Sequence, residues 1–102
     1  MSKRSKACEI SPKTKEIVWE RDNHKCVICG KYVTVACANA HYIKRSQGGL
    51  GIEQNIVTLC LKCHYEEDFG KDTKLYEEMI KKHLKGHYGS SWNISDLIYK
   101  KY

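Results

Sequence analysis

The chain has 102 residues, about one domain, and 41% hydrophobic content supports a core of modest size that a metal staple would strengthen. Its formal charge is +6, from 18 Lys and Arg against 12 Asp and Glu, which suits a polyanionic partner, nucleic acid before membrane. A single proline and no low-complexity run exclude a disordered chain, and no apolar stretch reaches the roughly 18 residues of a membrane span.

Residues 1–10 read as a basic flexible arm, and MSKRSK lacks the apolar segment of a signal peptide. A cytoplasmic protein is expected. Residues 11–102 read as one domain. Ser11 and Pro12 start a helix to about Arg21, with Ile17 and Val18 facing the core and Trp19 on its flank. DNHKCVICGK is a turn, and YVTVACANAHYIKR predicts two short strands with His41 on or at the start of the second. SQGGLGIEQN is a glycine-rich loop, and IVTLC a short apolar segment. A helix is predicted from Leu61, ending by Gly70. Asp72 caps a longer one through about Lys85, with Leu75, Met79, Ile80 and Leu84 on its apolar face. The tail SSWNISDLIYKKY carries enough apolar residues for a short docked helix.

Of the six cysteines, four form two Cys-x-x-Cys pairs, Cys26/Cys29 and Cys60/Cys63. A two-residue spacer lets both sulfurs of a pair reach one ion, so two pairs can supply four thiolates to a tetrahedral structural Zn²⁺. A redox pair is the alternative, but there are two pairs and no thioredoxin-like pattern. Cys8 and Cys37 fit no such spacing and read as free thiols.

The long insert between the pairs holds His41 and Asn55, and His64 follows the last cysteine directly. This ordered set, with AHYIKRSQGG, QNIVTLC and LCLKCH around it, resembles the HNH endonucleases, the ββα-metal nucleases, over about residues 16–70. The resemblance implies an α+β fold: a small zinc-stabilised ββα-metal core with flanking N- and C-terminal helices. It implies hydrolysis of DNA phosphodiester bonds, with His41 as general base. Asn55 would hold the loop and orient His41 or the metal. His64 would ligate a catalytic divalent ion, Mg²⁺, Mn²⁺ or a transition metal. Lys44 and Arg45, three and four residues past the base, are placed for phosphate contacts. Double-stranded DNA is the implied substrate. Phage packaging or recombination proteins are the implied further partners, and the host cytoplasm the compartment of a phage-encoded member.

Ala40 departs from the family pattern, which has an acidic residue or histidine there as a metal ligand. Asn39, Asn55 or waters would then complete the shell around His64, or a transition ion would favour it. Otherwise the domain is a non-catalytic zinc-knuckle DNA-binding module. A zinc-organised protein–protein adaptor is a third reading. His83 and His87, four apart, read as solvated or phosphate-facing rather than as a metal pair. Glu66, Glu67 and Asp68 read as a solvated face. The tryptophans and tyrosines read as packing residues rather than base-stacking platforms, and His24 as a loop residue.

Overall fold

The structure, a computed structural model, describes residues 2–100. Met1 of the expected arm and Lys101 and Tyr102 of the expected tail lie outside them. Where the flexible arm was expected, helix α1 (Lys3–Cys8) is docked instead. Arg4 donates to the Ser46 carbonyl at 2.9 Å, and the Gly51 amide to the Ala7 carbonyl at 3.0 Å. Cys8 is buried beneath it.

Helix α2 (Pro12–Arg21) starts as its sequence dictates. The Ser11 hydroxyl accepts from the Thr14 amide, and Pro12 takes the first turn, where its missing N–H matters least. Val18 is buried, whereas Ile17 faces solvent, contrary to expectation. Asn23 and His24 turn the chain with positive φ, and His24 stacks on Trp19 at 3.6 Å.

The segment expected to hold two strands holds one. Val35–Cys37 is a 3-10 turn, and only β1 (Ala40–His41) is extended and paired. Its partner is β2 (Ile56–Val57), antiparallel, with Ala40 opposite Val57 and His41 opposite Ile56. The glycine-rich loop is therefore the hairpin connection. Gly48 supplies a left-handed φ of 83°, and a Cβ on Gly49 would collide with the Ile43 carbonyl.

Helix α3 (Leu61–Phe69) follows β2 and packs on α4 (Thr73–Tyr88). α4 runs past Lys85 and through Gly86 before Gly89 ends it with a φ of 75°. Only Ile80 and Leu84 of its expected apolar face are buried; Leu75 and Met79 are exposed. The tail forms a 3-10 turn at Ile94–Leu97 rather than a docked helix, and Ile98 bridges to Gly49. Ala40, Val57, Leu59, Ile80, Leu84, Trp92 and Leu97 share one core with three of the paired cysteines. Burying a side chain such as Leu84 contributes about 1.5–3 kcal/mol. The fold is thus α+β, with one small sheet clasped by helices. Among the described residues no helix is long and apolar enough to cross a membrane.

A buried polar hub ties these parts together. Asp22 ends α2 and accepts from Arg21 at 2.8 and 3.0 Å, from the Thr58 amide at 2.9 Å and shares a 2.7 Å bond with His83. Arg21 also donates to the carbonyls of Glu53 and Ile56, both at 2.7 Å, and to the Tyr88 hydroxyl at 3.0 Å. His83 therefore hydrogen-bonds within a structural hub, where a solvated or phosphate-facing side chain was expected. His87 is exposed.

Candidate active site

The four paired cysteines meet. Their sulfurs all lie within 4.8 Å of one another, and Cys29 Sγ and Cys60 Sγ are 3.7 Å apart. Tetrahedral Zn–S bonds of about 2.3 Å require sulfurs about 3.8 Å apart, so the donors fit a zinc ion. Burial and the neighbouring sulfurs push the Cys63 thiol up. Four such groups cannot all ionise in contact, and a dication would resolve the conflict. Cys60 also caps α3, its sulfur accepting from the Cys63 amide at 3.4 Å. Cys8 and Cys37 are free.

His41 stands at the end of β1, half-buried. Its Nε2 lies 2.8 Å from the Cys8 carbonyl oxygen. A carbonyl only accepts, so Nε2 carries the hydrogen and the neutral ring presents Nδ1 as its free lone pair. Burial holds the His41 pKa below its ordinary 6.5. The Cys8 carbonyl works against that shift, while the nearby charges of Arg45, Lys44 and His64 add to it. The ring is therefore neutral and basic at physiological pH.

Asn55 is fully buried and fully used. Its side-chain oxygen accepts from the Ile43 amide at 2.8 Å, and its NH₂ donates to the carbonyls of Ile43 and Leu50 at 3.2 and 2.8 Å. These bonds clamp the strand after His41 to the glycine-rich loop. With its side chain fully buried and all three of these bonds made to the backbone of the strand and loop, the geometry favours loop-holding over the ligand role. Asn39 is exposed, and Ala40 packs in the core, where a carboxylate would be desolvated.

His64 lies on the first turns of α3, and one helical turn later comes Asp68, with His64 Nε2 and Asp68 Oδ2 3.7 Å apart. An imidazole nitrogen and a carboxylate oxygen this close are a donor pair suited to Mn²⁺, Mg²⁺ or Zn²⁺. Burial holds the His64 pKa down. Asp68 was expected on a solvated face; its signal in the sequence is the four-residue spacing from His64. Glu67, from the same expected face, is fully buried and bound by Lys44, and burial pushes its carboxyl up to about 7 despite that cation. Lys44 also donates to Asp68 at 2.8 Å. Two carboxylates thus engage the lysine expected on phosphate. Arg45 is exposed, with one bond to the Ser5 carbonyl at 3.1 Å.

His41, His64, Asp68, Lys44 and Arg45 are brought to one region by the β1–loop–β2–α3 path. A family model described as HNH endonuclease matches residues 26–69, from the first cysteine of the cluster to the end of α3. Neither the curated proteins nor the solved structures give a significant match.

Proposed function

We propose that this chain, whose residues 26–69 carry an HNH endonuclease domain, hydrolyses DNA phosphodiester bonds with His41 as general base. Nucleic acid is the partner class that domain implies. The observation that carries the reading is the 2.8 Å bond from His41 Nε2–H to the Cys8 carbonyl, which leaves Nδ1 free to take a proton.

In this mechanism Nδ1 accepts the proton of the water that attacks phosphorus, and the imidazolium formed stays bonded to the Cys8 carbonyl. Asn55 keeps the loop, and with it His41, in register. His64 and Asp68 would hold a divalent ion, which when bound supplies positive charge to the scissile phosphate and the leaving oxygen. Asp68 takes the part that Ala40 cannot play. Arg45 is the residue placed to hold a flanking phosphate. A zinc ion held by Cys26, Cys29, Cys60 and Cys63 would be structural, since four thiolates would leave no position for substrate, and it would fix the start of the helix that carries His64.

The second reading, a DNA-binding module without catalysis, draws on Ala40. Supercoiled plasmid incubated with the zinc-loaded protein and added Mg²⁺, Mn²⁺ or Ni²⁺ separates the two. Conversion to open circles supports hydrolysis. Salt-dependent DNA retention with no nicking under any ion supports the binding module instead.

A further inference from the structure

α3 carries an apolar stripe that packs against neither core cluster. Leu61, Tyr65 and Phe69 are 82%, 63% and 74% exposed. They recur every four residues, so they share one face of the helix. The rings of Tyr65 and Phe69 lie 5.2 Å apart at 50°, forming a continuous aromatic surface. Tyr65, expected as a packing residue, is exposed instead.

The stripe's place on the helix gives it meaning. His64 and Asp68 each immediately precede or adjoin a stripe residue in sequence, and at about 100° per residue the stripe's face borders theirs. Lys44 reaches α3 from the opposite side, where it binds Glu67 as well as Asp68. A nucleic acid crossing the site therefore meets exposed Arg45 on one side and aromatic rings on the other. The rings offer nothing to phosphates, and a stacked, paired duplex hides its base faces from them. Unpaired bases expose those faces, and each can stack on a ring.

We propose that the Leu61–Tyr65–Phe69 stripe stacks against unpaired bases beside the scissile phosphate, making DNA with locally unpaired bases the preferred substrate. This rests on the nuclease reading and names its substrate class.

The test uses the full chain, zinc-loaded, in a His41→Ala background that binds without cutting. It compares a fully paired duplex with the same duplex carrying a short mismatched bubble and an aminopurine reporter within it. Binding to the bubble is expected to be roughly tenfold tighter, with reporter emission quenched by stacking. Tyr65→Ala combined with Phe69→Ala should equalise the two affinities and abolish the quench. Tyr65→Phe should keep both. Both alanine sites are exposed, and circular dichroism with zinc content verifies the fold. Equal affinities before mutation, or a preference that survives the double variant, would overturn the proposal. So would sedimentation showing a dimer that the double variant dissolves, since a second copy would then cover the stripe. Duplex binding that persists without any preference for the bubble sinks this inference alone. Failure to bind either DNA sinks the nuclease reading with it.

Discussion

Two aspartate–histidine pairs in this molecule use the same chemistry for different ends. Asp22 and His83 are 2.7 Å apart, and Asp22 also accepts from Arg21 and the Thr58 amide. Its side chain is fully buried and every partner lies within the protein. Asp68 and His64 are 3.7 Å apart, both about one-third exposed, with Lys44 as the other partner. In the first pair the carboxylate is closed off from solvent, although His83 is about as exposed as His64, and the pair joins α2, α4 and the residue after β2. The second is open, and it lies near His41, the proposed base. Residue type does not distinguish a structural pair from a working one; completeness of the hydrogen-bonding shell does.

The largest perturbation removes what both pairs depend on. Cys26→Ser should release zinc and abolish cooperative unfolding, because structural zinc in small peptides contributes roughly 10–16 kcal/mol of apparent binding energy. A folded, zinc-free variant would contradict the role given to the cluster.

Single truncations then separate the pairs. Asp22→Ala leaves Arg21 buried without its carboxylate and should lower stability by about 3–5 kcal/mol in urea unfolding. Asp68→Ala should change stability by less than about 1 kcal/mol, as for an exposed pair. It should instead weaken divalent-ion binding, read by calorimetry, and slow nicking roughly 100-fold. The opposite pattern would reverse the assignments.

Acid sharpens the contrast. Burial raises the Asp22 pKa, but the bonds from His83, Arg21 and the Thr58 amide more than offset it and hold it at about 2, below the 3.8 of a free aspartate. A depressed carboxyl stabilises the fold above its unfolded pKa, and that stability is lost as pH falls from about 4 through 2. The loss should be about 2 kcal/mol in unfolding measured across that range, and Asp22→Asn should not show it.

A smaller effect tests the base's support. A Cβ on Gly51 would collide with the Glu9 carbonyl and press on that of Cys8. Gly51→Ala should displace α1, loosen the bond that fixes the His41 tautomer, and slow nicking about tenfold with DNA affinity unchanged. Unchanged nicking would show that α1 does not position His41.

What the sequence reveals follows the range of the interactions. The start of α2, the four-cysteine cluster and the span of α3 are set by caps and spacings a few residues long, so Ser11, the Cys-x-x-Cys pairs and the helix from Leu61 are legible. The Asp22–His83 bond joins residues 61 positions apart, and no local pattern announces it. The pairing of β1 with β2 was missed for the same reason: a two-residue strand carries almost no periodicity, and the clamp by Asn55 selects its partner. The docked α1 depends on carbonyl contacts that side-chain patterns do not encode. Asp68 had a readable signal, its spacing from His64, but three acids in a row resembled a wet surface.

The most direct test of the site is plasmid nicking by His41→Ala beside the unaltered protein, with DNA binding measured in parallel. Nicking should fall by at least about 100-fold while binding and zinc content stay the same. The unaltered protein should lose its rate on acidification with a midpoint shifted to the acid side of an ordinary histidine, since burial lowers the His41 pKa. Nicking that survives His41→Ala at the original rate would contradict the assignment of His41 as the base.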